Sequence, residues 1–123
     1  MTKYIIPGQP IPLARPRFYN GRVIDCQVGE KNAAATYLKF LHKGPIIPLE
    51  GPLHITINFF MKKPKKGNKH FHSSRPDLDN LIKFILDVCN DVLYKDDAQI
   101  AQICSEKIYD DEPRTEIIIE ELK

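Results

Sequence analysis

The chain has 123 residues and a formal net charge of +2, with 42% of its residues hydrophobic and 28% charged. A chain of this length can bury a hydrophobic core without a disulfide framework or a structural metal, so a single domain spanning residues 1–123 is expected. The composition excludes the disordered and collagen-like classes, and no apolar run approaches the roughly 20 residues that cross a bilayer.

The N-terminal region predicts a short strand followed by an irregular segment. Residues 3–6 form the strand, and four prolines and a glycine between residues 7 and 16 then break regular structure. The irregular segment carries Arg15, Arg17 and Arg22. The start of the sequence lacks the charged and then apolar order of a signal peptide, so we expect a cytoplasmic protein.

The next two elements are predicted to be a helix and a strand. Residues 30–43 place apolar side chains at helical spacing, and Gly44-Pro45 is a stop signal. Between residues 53 and 59, apolar and polar side chains alternate, which is typical of a strand with one buried face. The helix therefore has a sheet on which to pack.

A basic loop, residues 61–76, follows this strand and contains six basic residues and no acidic one. Two interpretations are open: a solvated surface loop, or a surface that contacts a polyanion. His70 and His72 within it lack a matching third ligand, so solvated histidines are favoured over a zinc site.

The C-terminal half predicts a central helix and two strands. Residues 79–93 carry one wide apolar face, and strands are predicted at 99–109 and 115–122 with a hairpin connection at 110–113. The order β, α, β, α, β, β predicts an α/β or α+β domain. We expect a mixed sheet of four to five strands packed against two main helices.

The three cysteines are Cys26, Cys89 and Cys104. Their number is odd and no Cys-x-x-Cys pair occurs, which argues against a disulfide framework and a zinc knuckle. We expect reduced, mostly buried thiols, with Cys89 on the apolar face of the central helix.

Two aspartates, Asp77 and Asp79, stand where the basic loop meets the central helix. Inside one α-helix they would point about 200° apart. An extended segment after Pro76 would instead turn both to one side, with Lys83 one turn beyond Asp79. This geometry predicts carboxylates that share a ligand, although Asp79 alone is more simply explained as a helix N-cap.

A second pair, Asp96 and Asp97, follows the central helix and, taken alone, is typical of a turn. A helix of about 15 residues is roughly 22 Å long, so this pair does not start near Asp77. Either the next strand runs back along the helix, or the same pair in a partner subunit reaches the first two aspartates. The sequence leaves both arrangements open.

The strings RPDLDNLIK (75–83) and YKDDAQI (94–100), with RPR at 15–17, closely resemble the RusA family of Holliday junction resolvases. The resemblance implies a phage or prophage homodimer that resolves four-way DNA junctions by paired symmetric nicks in recombination and repair. It further implies that Asp77, Asp79 and Asp97 bind a divalent metal, that Lys83 is needed for cleavage, and that Asp96 contributes.

Ligation by carboxylates suits Mg²⁺, with Mn²⁺ as a substitute, and neither an organic cofactor nor a membrane is implied. DNA contacts are expected from basic residues of the loop and the N-terminal segment: Lys62, Lys63, Lys65, Lys66, Lys69, Arg75, Arg15 and Arg17. Two alternatives remain, namely a catalytically silent junction-binding architectural dimer and a nuclease acting on other branched DNA.

Overall fold

The structure is a computed structural model that describes residues 1–42 and 46–123. Its main elements follow the predicted order β, α, β, α, β, β, with an additional small hairpin after the first strand and a 3₁₀ turn at Asp97–Gln99. The elements are β1 (Thr2–Pro7), β2 (Arg17–Tyr19), β3 (Arg22–Ile24), α1 (Val28–Leu41), β4 (Leu53–Lys62), α2 (Leu78–Cys89), β5 (Ile100–Asp110) and β6 (Arg114–Glu121).

The main sheet has four strands in the order β1-β6-β4-β5, and it is mixed as predicted. β4 and β5 are parallel, whereas β6 is antiparallel to both β1 and β4. The parallel pair is joined through α2, as a parallel connection requires a long crossover. The α+β architecture is therefore confirmed.

The core lies between one face of this sheet and the two helices. Alternate residues of β4, from Leu53 to Met61, are buried, as the period-two pattern predicts. Leu81, Ile85 and Cys89 of α2 belong to the same buried cluster. α2 is thereby fixed against the sheet along its length, and its N-terminal end carries the first pair of aspartates considered below.

The helix ends differ from the expected ones. α2 ends at Cys89, four residues early, because Asn90 and Asp91 leave helical geometry, with Asp91 at φ +60°. Apolar residues 92–94 continue the pattern because they are buried in the following turn, where the Tyr94 hydroxyl donates to the Leu86 carbonyl at 2.8 Å. The predicted α1 terminus at Lys43 and the Gly44-Pro45 stop signal lie outside the described residues.

The predicted hairpin between the last two strands is wrong. β5 and β6 lie on opposite sides of β4, so residues 111–113 cross the end of β4. Arg114 stabilises this crossing, because its guanidinium lies 3.7 Å from the Phe60 ring centroid and donates to Asp110 at 2.6 Å. A short connection spans the two strand spacings, about 10 Å, without strain.

The segment predicted to be irregular contains an unpredicted hairpin formed by β2 and β3. Asn20 and Gly21 link the strands with φ of +48° and +75°, the signs that a type I′ turn requires. The Asn-Gly pair between residues of high strand propensity was the sequence signal for this hairpin.

The thiols differ from expectation, since Cys26 and Cys104 are exposed and Cys89 alone of the three is buried. All three are free, as predicted. In the described residues, no helix has both the length and the apolar character needed to cross a membrane.

Candidate active site

Two of the predicted site aspartates share one groove with Lys83. This groove has a volume of about 460 Å³ and lies between the first turns of α2 and the segment that precedes β2. It is lined by Leu13, Ala14, Arg15, Pro16, Asp77, Asp79, Asn80 and Lys83. The two aspartates of the D-L-D string, Lys83 and the first two residues of the R-P-R string, Arg15 and Pro16, are therefore brought together in one groove.

Asp77 is the N-cap residue of α2, in an extended conformation, but its side chain makes no capping hydrogen bond. The helix begins at Leu78, so the extended segment that we expected to reach Asp79 ends at Asp77. Asp79 lies in the first helical turn, and both carboxylates still line the groove. The positive end of the helix dipole stabilises negative charge at these positions.

Lys83 lies one turn after Asp79, as the spacing predicts. Its Nζ is 4.0 Å from Oδ2 of Asp79, and both side chains are more than half exposed. Oδ1 of Asp79 accepts the Asn80 backbone N–H at 2.9 Å. Because the exposed ion pair is long and weak, the ammonium group can turn towards a bound anion at little cost.

Lys107 of β5 fixes the segment before Asp77, and this role was not predicted. Its Nζ donates to the carbonyls of Ser74 and Pro76, both at 2.7 Å, and the peptide between Arg75 and Pro76 is cis. Lys107 pairs with the buried Phe59 in the sheet register. The sequence carried no signal for these contacts, because the register of β5 against β4 is set by the fold.

Arg15 reaches the groove because the segment before β2 is tied down at several points. The Leu13 N–H donates to the Asn80 carbonyl at 2.9 Å, which attaches the segment to α2. Gln27 is buried, and its side chain accepts from the Ala14 N–H and donates to the Pro12 carbonyl, both at 2.8 Å. Of the predicted DNA-binding residues, Arg15 thus lies beside the aspartates.

The second aspartate pair lies at the other end of α2. Asn90 is the C-cap residue of α2, and its Oδ1 accepts the Asp97 backbone N–H at 3.0 Å. Twelve helical residues span about 18 Å, so this pair is remote from Asp77 within one chain. β5 does run back along the helix, but it brings Lys107 to the segment before Asp77 and brings neither Asp96 nor Asp97 to the groove.

Gln99 explains the glutamine of the D-D-x-Q string. Its Oε1 accepts the backbone N–H groups of Lys95 and Asp96, each at 3.0 Å. Its Nε2 donates to the carbonyls of Leu49 and Gly51, at 2.9 and 3.0 Å. The turn carrying the aspartate pair is therefore fixed to the segment before β4.

The two carboxylates of this turn interact unfavourably. A side-chain hydrogen bond with Asp96, followed by burial and the charges of Asp96 and Asp87, raises the pKa of Asp97. A cation beside the pair would remove this repulsion. In residues 1–42 and 46–123, however, no three His, Cys, Asp or Glu side chains are close enough to hold a metal ion.

The basic loop returns along the free edge of β5. The Tyr109 N–H donates to the His70 carbonyl at 2.9 Å, and the His72 N–H donates to the Lys107 carbonyl at 3.0 Å. The predicted phosphate-contacting residues in the loop are all exposed: Lys62, Lys63, Lys65, Lys66, Lys69 and Arg75.

His72 is not the solvated side chain that we expected. Its ring packs on Tyr109 with centroids 5.0 Å apart, and its Nδ1 is buried without a hydrogen-bond partner in the described part of the chain. Burial and the nearby charge of Lys107 lower the pKa of this imidazole. His70 is exposed, as predicted.

Comparison with known proteins gives a family model and a phage protein that carry the same RusA description. A family model described as endodeoxyribonuclease RusA matches residues 7–120, which include the groove and both aspartate pairs. The chain is 28% identical over 136 residues to the uncharacterized protein YqaN of Bacillus subtilis (strain 168), covering 98% of this chain and 96% of that protein. It is 40% identical over 73 residues to the crossover junction endodeoxyribonuclease rusA of Lactococcus phage r1t, covering 58% of this chain and 56% of the phage protein.

Proposed function

Because the chain belongs to the RusA family of endodeoxyribonucleases, we propose that it resolves four-way DNA junctions in recombination and repair. In this proposal the protein is a Mg²⁺-dependent homodimer that cuts by paired symmetric nicks. The observation that carries this proposal is the groove in which Asp77, Asp79, Lys83 and Arg15 meet. Carboxylates and cations side by side suit a hard metal ion and a phosphate diester together.

The donor groups in the groove fit Mg²⁺, with Mn²⁺ as a substitute. Asp77 does not use its carboxylate to cap α2, and Asp79 is exposed, so both can offer oxygen ligands. Two carboxylates leave positions for water and phosphate oxygens, which Mg²⁺ favours. When bound, the ion would activate the attacking water and offset negative charge on the phosphate.

The side chains of the groove have separate roles in this proposal. Asp77 and Asp79 would hold the cation at the positive end of α2. Lys83 donates to the phosphate oxygens as negative charge develops in the transition state. Arg15 holds a neighbouring phosphate in a fixed orientation, since a guanidinium can donate two parallel hydrogen bonds. The Lys107 contacts keep Asp77 in place at the groove.

A homodimer would supply the missing carboxylates. One subunit places Asp77 and Asp79 in the groove and Asp97 at the far end of α2. In an antiparallel pairing of subunits, Asp97 of the partner subunit would lie at this groove, with Asp96 of the partner subunit beside it. A two-fold axis would then produce two equivalent sites and nicks on opposing strands.

A cleavage assay tests the function. The wild-type protein is incubated with a labelled four-way junction, a flap and a linear duplex, each with Mg²⁺, Mn²⁺ or EDTA. We expect symmetric cuts in the junction with either metal and none with EDTA. Junction binding without cutting would instead identify an architectural protein, and faster cutting of the flap would identify a nuclease for other branched DNA.

The Asp77→Asn substitution tests the site. It removes one anionic oxygen ligand but keeps the shape of the side chain, so junction binding should be retained while cutting falls at least about 100-fold. Asp111→Asn, in the connection after β5, is the matched control and should cut normally. Wild-type cutting by Asp77→Asn would exclude Asp77 as an essential ligand.

A further inference from the structure

The hairpin formed by β2 and β3 is an exposed element beside the groove. All six of its strand residues are exposed, including Phe18 at 79%, Tyr19 at 67% and Val23 at 62%. Large apolar side chains placed this way contribute nothing to the core. Contiguous exposed apolar surface on a small domain commonly marks a binding site.

The hairpin is nevertheless held in a defined place. An isolated two-stranded hairpin is marginally stable in water. Here the type I′ turn at Asn20-Gly21 matches the twist of the strands. Below the strands, Gln27 joins the two ends of the hairpin by bonding to Pro12 and Ala14, and the Leu13 N–H ties this base to Asn80 of α2.

The two faces of the hairpin differ in chemistry. Cross-strand partners share a face, so Tyr19 pairs with Arg22 on one side and Phe18 pairs with Val23 on the other. Arg17 lies on the same face as Tyr19, two residues away. No acidic residue occurs between Arg15 and Ile24. One face therefore combines an aromatic ring with cations, and the other is apolar.

We propose that this hairpin binds the unstacked bases at the branch point of the DNA substrate. Arginine side chains bind the phosphates of the DNA strand that enters the groove. Aromatic rings stack on bases that are not stacked on neighbouring bases. A linear duplex offers no such bases, whereas base stacking is interrupted at a branch point whose arms are held open by the protein. The inference rests on the proposed function and names the substrate feature that the site would recognise.

Binding measurements separate this role from general DNA affinity. Phe18→Ala and Tyr19→Ala, singly and together, are compared in an Asp77→Asn background so that Mg²⁺ can be present without cutting. We expect each substitution to weaken junction binding by about 10-fold and duplex binding by less than about 2-fold, since a stacked ring contributes only where bases are unstacked. An equal weakening on both substrates would overturn the proposal.

The matched control is Phe40→Ala. Phe40 is 80% exposed on α1, where it contacts Tyr37, and it does not line the groove. Its substitution should change neither affinity. Thermal unfolding of the hairpin variants should match that of the parent protein, because both rings are exposed. Dissociation of a dimer by these substitutions would overturn the proposal, since the hairpin would then contact a second copy.

Photocrosslinking identifies the contact directly. A junction carrying 5-iodouracil at the branch point is irradiated with the protein, and trypsin releases residues 18–22 as one peptide. Crosslinks on this peptide support the proposal, and crosslinks confined to other peptides overturn it. If wild-type protein fails to cut the junction while these crosslinks form, the proposed function fails and the hairpin contact stands.

Discussion

At the scale of the residue, the least expected side chain of the site is Lys107. Its two hydrogen bonds go to carbonyls 33 and 31 residues earlier in the sequence. It touches no proposed reacting group, so its expected role is to position Asp77. The aspartates and Lys83 could be predicted because their spacing is local. Lys107 could not be predicted, since its partners depend on how β5 docks.

Replacing Lys107 tests this role. Lys107→Met should reduce cutting about 10-fold and raise the Mg²⁺ concentration needed for half-maximal cutting, because Asp77 is less well positioned. Junction binding should change little. Lys107→Arg should recover part of the activity, and Lys39→Met, on the exposed side of α1, should have no effect. An unchanged Mg²⁺ requirement with reduced thermal stability would show a purely structural lysine.

The three thiols should react differently with a thiol reagent. Burial raises the pKa of Cys89 to about 12, so its reactive thiolate is scarce near pH 8. Cys26 and Cys104 are exposed. Titration of the native protein should therefore consume two thiols per chain, and titration in denaturant three. Rapid reaction of all three in the native protein would contradict the buried position of Cys89.

At the scale of the element, the alternation of polar and apolar residues predicted where the strands are, but not their order in the sheet. β5 has a largely exposed first half, whereas three consecutive residues of β6, Thr115 to Ile117, are buried. Burial on both faces is typical of a central strand, and exposure is typical of an edge. The apolar run at 117–119 was thus a signal for a central β6, but a short connection was interpreted as a hairpin.

The basic loop should contribute affinity without reading base sequence. Replacing its five lysines, Lys62, Lys63, Lys65, Lys66 and Lys69, by Gln should weaken junction binding and flatten its salt dependence. The logarithmic slope should fall by about 0.9 for each phosphate that the loop no longer neutralises. The melting temperature should hold, since all five side chains are exposed. Lys39→Gln is the control. An unchanged salt slope would show that the loop does not bind DNA.

At the scale of the whole molecule, the distance between the two aspartate pairs determines how a complete site can form. The sequence already indicated this separation, because helix length follows from the number of residues. It could not show that the returning strand brings Lys107 to the segment before Asp77. The single subunit supplies Asp77 and Asp79 there and holds Asp97 at the far end of α2.

Mixing two inactive variants tests whether the sites are shared between subunits. Asp77→Asn and Asp97→Asn should each abolish cutting alone. In a mixed dimer, one site would carry both substitutions and the other neither. Random mixing makes about half of the dimers mixed, so about a quarter of all sites should be active. Each mixed dimer should make a single nick. Strand-specific cleavage of a labelled junction measures this. If subunits are shown to exchange but cleavage is not recovered, the active sites are not shared between subunits.

The central position of β6 also affects biosynthesis. β6 is synthesised after both β1 and β4, yet it lies between them in the sheet. A nascent polypeptide that lacks it has no continuous sheet to support α2, so the pieces of the groove stay apart. Assembly of the groove therefore waits until β6 has been synthesised and inserted between the two earlier strands.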